Sequence, residues 1–432
     1  MTSTPTTRRS FLRTLAAAGA ASPLLARAER LEAALAPGVA PVPFDAYSPA
    51  SVAALRGQYL LADDLVYLNH ASIGTVPAPV HRAHVGYLEL CESSPSLYTW
   101  GAVWREVTED TRRAAASLVG CRPDDLAITH NTTEAFSILA HGLPLGPGDE
   151  VLFSSLNHAG ASVAWDGLAA RRGFTVRRFD FPLERASELT VDEVVEVHAR
   201  AVSGRTRALV FPHVDNLVGM AHPVRAIADA VRARGVEFVL VDGAQSAGML
   251  QLDLSAAGVD AYAMSPHKWL QAPKGLGLFW VSPQLRPALP RMWFKTGGTR
   301  IEESARKYED YSTRAWPAVV ALGDALAFQA SLGAVEKERR YRSLWARVHE
   351  RTVEDARLVW KSPTAPELRS VIMAVGIRGA SAPDVAPRLL EGVGAELRAF
   401  APPLNALRVS PNLATGEDEL DRVLAAAAAL AG

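Results

Sequence analysis

Three apolar runs set the terms on which this chain can fold. "EVLFSS" (150–155), "RALVFPHV" (207–214) and "EFVLVDGAQ" (237–245) are rich in Val, Leu and Phe, and each ends in polar or small residues. Short apolar runs of this kind are how strands read when both faces are buried, the habit of parallel sheets. Between the last two lies "PVRAIADAVRARG" (223–235). There Val224, Ile227, Ala228 and Val231 share one helical face, and Gly235 is a natural stop. Strand, helix and strand in that order make a βαβ unit, which closes right-handed. The middle of the chain is therefore predicted to be an α/β domain with a mostly parallel sheet and helices on both faces. In such sheets ligands bind at the carboxyl ends of the strands.

A length of 432 residues allows one large domain and a smaller one. The amphipathic segment "DELDRVLAAAAALAG" is expected to be a helix closing a smaller C-terminal α+β domain. The expected division is a leader over 1–36, a Pro-rich linker and N-terminal segment over 37–65, a large domain over 66–295 and a small one over 296–432. In the leader, Arg8 and Arg9 are followed by Phe11 and Leu12, an Ala-rich apolar stretch, and small-x-small sites at Ala26-Arg27-Ala28 and Ala34-Leu35-Ala36. That order resembles the twin-arginine signal of bacteria. It implies an exported or periplasmic protein handed folded to the twin-arginine (Tat) machinery. Arg13 and Pro23 break the stretch, which is too short to span a bilayer, so no stable membrane anchor is expected.

With 45 basic and 46 acidic residues, the net charge of −1 leaves no polybasic footprint for nucleic acid. The two cysteines, Cys91 and Cys121, are too few for a disulfide scaffold and lack metal-ligand spacing, so no metal is expected. A bond between them would require the fold to bring them together.

Polar residues follow each predicted strand. Asp242-Gly243-Ala244-Gln245 follows "EFVLV", Asp215-Asn216 follows "RALVFPHV", and Asn157-His158 follows "EVLFSSL". Asn131-Thr132-Thr133 follows "LAITH" and opens a helix, while Ser265-Pro266-His267-Lys268 follows "AYAM". Singly these have ordinary explanations: a helix cap, a strand-end acid, a surface histidine. Together they converge on one sheet edge. Thr132 and Thr133 at a helix N-terminus suit a phosphate, and Ser265 and His267 could complete the cup. A buried Asp242 can hold a proton on a heteroaromatic nitrogen, and Lys268 can form a Schiff base. Pyridoxal phosphate (PLP) needs this set. Lys274, six residues further on in "APKGLG", reads as a turn or surface charge.

"VDGAQSAG", "LDLSAAGVDAYAMSPHKWLQAPKGLGLFWV", "YLNHASIGTVP", "NTTEAFSIL", "NHAGASVAW", "FPHVDNLVGMAHPV" and "LRVSPNLATGEDELDRV" occur in one order along the chain. In that order they resemble the class V aminotransferase family of fold-type I PLP enzymes, which includes cysteine desulfurases and isopenicillin N epimerase-like proteins. The resemblance covers the chain after the leader. It implies that Lys268 is the Schiff-base lysine, Asp242 the pyridinium partner, Gln245 a donor to the ring's phenolic oxygen and His158 the imidazole stacked on the ring. It implies that Thr132, Thr133, Ser265 and His267 are phosphate ligands, that Asn216 lies near the substrate and the ring oxygen, and that Arg408 grips the substrate carboxylate. Thr299 in "TGGTR" is similar to a phosphate ligand lent by a partner subunit, which implies a homodimer. The implied function is an exported enzyme that forms an external aldimine with an amino acid, or an amino-acid moiety of a larger metabolite, and transfers or modifies its amino group.

One departure narrows this. Cysteine desulfurases carry a nucleophilic cysteine shortly before the equivalent of Arg408, and "GAELRAFAPPLNALR" contains none. The enzyme alternatives are a β-lyase (C–S lyase) and an epimerase on the same scaffold. A periplasmic amino-acid binding protein would need no reactive lysine, and its strand-end residues would be arbitrary. A nicotinamide enzyme is disfavoured because "GPGDE" (146–150) lacks the third glycine and precedes a strand.

Overall fold

Alternation along each strand decides where the core sits. The computed structural model describes residues 43–99, 104–295 and 298–432, so the predicted leader lies outside the described residues. The strands, in chain order, begin with the short β1 (Val66–Tyr67). There follow β2 (Leu126–Thr129), β3 (Glu150–Ser154), β4 (Thr175–Phe179), β5 (Thr206–Pro212), β6 (Phe238–Asp242), β7 (Ala261–Met264) and β8 (Gly277–Val281). These last seven form one sheet in the order β2-β8-β7-β6-β5-β3-β4. Only β8 runs against the rest, pairing antiparallel with both β2 and β7.

In β6, Val239 and Val241 enter one hydrophobic layer while Phe238 and Leu240 enter the other. Neighbouring β5 does the same with Leu209 and Phe211 on one side and Ala208 and Val210 on the other. Side chains alternate across a strand, so apolar residues at every position require cover on both faces. The helices Thr132–Gly142 and Ala159–Arg172 supply Phe136, Leu139 and Trp165 to the second layer. The helix Val224–Arg232 supplies Val224, Ile227, Ala228 and Val231 to the first, the face read from the sequence. The predicted α/β architecture is therefore observed.

Five further strands follow, β9 (Leu358–Trp360), β10 (Met373–Ile377), β11 (Ala395–Glu396), β12 (Arg398–Phe400) and β13 (Ala406–Val409), and all but β11 form a second, smaller sheet. Four of them pair antiparallel in the order β12-β13-β10-β9. The helices Ala334–Glu354 and Ala382–Val393 pack on this sheet, and Glu417–Ala429 packs on both of them.

The chain between residues 49 and 70 joins these C-terminal strands. Pro49–Arg56 is a helix, capped by the Ser48 hydroxyl, within the 37–65 segment read without a helix. β1 pairs parallel with β11 through Val66 and Ala395. Ser410 N–H then donates to Leu68 O at 2.9 Å, and His70 N–H to Ser410 O at 3.1 Å. This stitching carries residues 69–74 to the edge where the large sheet's strands end.

Cys91 and Cys121 are both free and half-buried. Burial raises both thiols, Cys121 to about 12. Neither is therefore a ready thiolate at neutral pH. Among the described residues no single helix is long and apolar enough to cross a membrane.

Candidate active site

The parallel strands β2, β3, β5, β6 and β7 all end on the same edge, and their continuations bring most of the predicted residues together. Asp242 is the last residue of β6 and is buried. Its Oδ1 accepts the Ala244 N–H at 3.0 Å. Burial pushes its carboxyl above the ordinary range, while the Ala244 N–H and then the Lys268 charge pull it back.

Lys268 follows β7 in a turn closed by its own N–H donating to Ser265 O at 3.1 Å. Burial pushes its amine down to about 8; Asp242 opposes that shift and Arg408 adds to it. A lysine so desolvated supplies neutral amine near physiological pH.

The helix Thr132–Gly142 begins directly after the turn that leaves β2, capped by the Asn131 side chain. Thr132 Oγ1 lies 2.7 Å from Ser265 Oγ, which links the β2 and β7 ends through a hydroxyl pair. First-turn N–H groups and hydroxyls at a helix start make an anion site. A Cβ on Gly160 would lie 2.8 Å from Thr133 Oγ1 and 3.2 Å from His158 Nδ1, which sets Thr133 beside His158. His158 caps its own helix, and its Nδ1 accepts the Gly160 N–H at 3.1 Å. That bond leaves the neutral ring's proton on Nε2. Burial and the Lys268 charge keep His158 below its usual range, opposed by Asp242. His267 is pushed down to about 4 by burial, with Lys268 and Lys274 adding, so its imidazole is neutral.

Gln245 is buried and more committed than the sequence suggested. Its Oε1 accepts from Trp269 Nε1 at 2.8 Å, and its Nε2 donates to Ala71 O at 2.8 Å. One amide N–H remains for a ligand oxygen. Asn216 enters through its backbone: its carbonyl accepts from Arg408 Nη1 at 3.1 Å. Thr299 is exposed at the start of the four-residue helix Thr299–Glu302, and no hydrogen bond among the described residues joins it to the cluster. Lys274 is exposed, as expected of a turn residue.

Arg408, on β13, reaches the cluster from the small sheet and is 2% exposed. Its Nη2 donates to Asn69 Oδ1 at 2.9 Å and also to Ser72 Oγ. Burial, then the charge of Arg398, lowers it to about 10. Asn69 and Ser72 were not anticipated. Neither was Gly74, whose N–H donates to His267 O at 3.0 Å. A Cβ there would come within 2.0 Å of Lys268 O, so only glycine lets this strap lie against the lysine's backbone. The strap from Asn69 to Gly74 thus touches Arg408, Gln245 and Lys268 in turn. Residues of this kind position others without touching the chemistry.

The geometry suits PLP. A desolvated amine and a buried carboxylate act on each other at adjacent strand ends, an imidazole stands near both, and a hydroxyl pair marks a helix N-terminus on the same edge.

Comparison with known proteins agrees. Residues 66–401 match the family model described as aminotransferase class V. The chain is 31% identical over 401 residues to isopenicillin N epimerase of Streptomyces clavuligerus, covering 87% of this chain and 98% of that one. It is 31% identical over 302 residues to a probable cysteine desulfurase of Pseudomonas aeruginosa, covering 66% and 73%. Among solved structures, the cystine C-S lyase C-DES in complex with cysteine persulfide superposes with a TM-score of 0.76 at 24% identity, covering 85% of this chain and 98% of that one. The cysteine desulfurase CsdA of Escherichia coli gives 0.73 at 23% identity, covering 89% and 100%.

Proposed function

This chain is an enzyme of the class V aminotransferase family, whose members use PLP, and we propose that Lys268 binds that cofactor to act on the amino group of an amino acid or an amino-acid moiety. The observation that carries this reading is the desolvated Lys268 amine within electrostatic reach of the buried Asp242 carboxylate, at the ends of adjacent strands β7 and β6. PLP supplies an electron sink for charge that develops at the substrate Cα.

The chain's own groups divide the remaining work. Thr132, Thr133, Ser265 and His267 would hold the phosphate. Asp242 would hold a proton on the ring nitrogen, and the free N–H of Gln245 would meet the ring oxygen. His158 would face the ring with a neutral imidazole. Arg408 would take the substrate carboxylate on its planar fork, held by Asn69, Ser72 and the Asn216 carbonyl. Lys268, neutral above about pH 8, would move the proton at Cα.

A second reading, epimerisation, is favoured by coverage. The chain spans 98% of the Streptomyces clavuligerus epimerase but 73% of the Pseudomonas aeruginosa desulfurase. Persulfide chemistry of the desulfurase kind is disfavoured because the described residues between Gly394 and Arg408 include no cysteine. Incubation of the PLP-loaded protein with amino acids and a keto acid separates the outcomes. Amino-group transfer yields a new amino acid, epimerisation yields only the enantiomer, and a β-lyase releases pyruvate. A protein that takes up no PLP overturns the reading altogether.

We also infer export. Arg8 and Arg9, the apolar stretch and the small-residue sites support it. Arg8→Lys with Arg9→Lys is expected to retain the protein in the cytoplasm on fractionation of a bacterial host; an unchanged periplasmic fraction would contradict the inference.

A further inference from the structure

Strands β12 and β13 place two arginines directly opposite each other. Arg398 and Arg408 are partners in the antiparallel register, so both side chains leave the same face of the small sheet. Phe400, two residues beyond Arg398, shares that face. Its ring centre lies 5.4 Å from Arg398 Cζ and 5.8 Å from Arg408 Cζ. The positions flanking Arg408 across its other ladder and along its own strand are Ala374 and Ala406, which bring no charge.

Like charges set opposite each other weaken a strand pair, and nothing within the described chain compensates this pair. Arg408 spends its guanidinium on neutral oxygens of Asn69, Ser72 and Asn216, and its buried Nε has no partner among the described residues. The acid acting on Arg408, Asp215, is consumed by the N–H groups of Leu217, Val218 and Met220, at 2.7, 2.8 and 2.6 Å. Arg398 is exposed and forms no ion pair among the described residues. Arg408 itself reaches the strand-end cluster through the Asn216 carbonyl, and the β12–β13 register sets Arg398 beside it.

We propose that Arg398 is a second anion-binding residue of this site, and that the substrate is an amino acid whose side chain carries its own carboxylate or an equivalent anion. The proposal rests on the reading of Arg408 given above. A monoanionic amino acid would neutralise one of two facing guanidinium groups; a dianionic one neutralises both. Arg408 takes the α-carboxylate, Arg398 takes the side-chain anion, and the Phe400 face provides an apolar floor for the methylenes between them.

The test uses ligands that cannot react with a cofactor. Glutarate and butyrate differ in one terminal carboxylate and carry no amine. Their binding to the full chain, by calorimetry or by thermal shift, is expected to favour glutarate by about tenfold or more, the effect of one charge-assisted contact. Arg398→Ala should bring glutarate down to the level of butyrate, and Arg398→Lys should restore part of the difference. With the PLP-loaded enzyme, the preference for glutamate over glutamine should likewise be lost in Arg398→Ala, with the loss falling on KM. Equal binding of glutarate and butyrate by the native protein would overturn the proposal. So would an equal loss for both in Arg398→Ala, which would mean that Arg398 serves the α-carboxylate. Failure of the cofactor reading looks different: no PLP is taken up, whatever the dicarboxylate preference.

Discussion

Lys268→Ala abolishes the visible absorbance that develops when the protein takes up PLP and lowers turnover by at least about 10²–10⁴-fold, the range for loss of a positioned acid–base group; Lys274→Ala preserves both. The two lysines lie six residues apart, yet their surroundings differ. Lys274 is exposed in a turn. Lys268 follows a central strand, with its backbone clamped between Ser265 and the Gly74 strap. Its amine titrates near 8, against an ordinary 10.5, because burial disfavours the ammonium more than Asp242 favours it. Below that pH the amine is protonated and inert; above it the amine is neutral and nucleophilic. Labelling of Lys268 in the cofactor-free protein by a small anhydride should therefore rise as pH passes through about 8. Asp242→Asn removes a stabilising charge and moves that midpoint lower. Arg408→Ala removes a repelling one and moves it higher.

Asp242→Asn is expected to keep the covalent attachment at Lys268 but to lose kcat/KM on the order of 10²–10³-fold, the scale for removal of one preorganised electrostatic group. The carboxylate sits at the end of β6, buried, with a single Ala244 N–H on Oδ1. Asparagine preserves that shape and cannot hold a proton on the ring nitrogen as a carboxylate does. Steady-state kinetics of the variant with a spectrum like the native protein's would check this. A kcat/KM within about twofold of native would remove Asp242 from the mechanism.

The large sheet was readable because burial on both faces forces uninterrupted apolar runs, and each run stops where polar residues begin. The strand-end residues followed from the same pattern, since parallel strands end on one edge. The strap was not readable. β1 has two residues, and its partner Ala395 lies far along the chain, so no local period marks Asn69 or Ser72 as neighbours of Arg408. Pro49–Arg56 lay in the 37–65 segment that opens with a Pro-rich linker and was read without a helix, because an eight-residue helix with two buried residues carries little signal. Arg398 had no meaning until the register set it opposite Arg408. Gln245 was legible as a site residue, but its ties to Trp269 and Ala71 depend on chain segments brought together only by folding.

The most direct test is to reduce the PLP-loaded protein with borohydride and map its peptides by mass spectrometry. One reduced cofactor per chain, carried on Lys268 and on no other lysine, is the predicted result. Attachment at Lys274 or elsewhere, or no attachment, would contradict the assignment of this site.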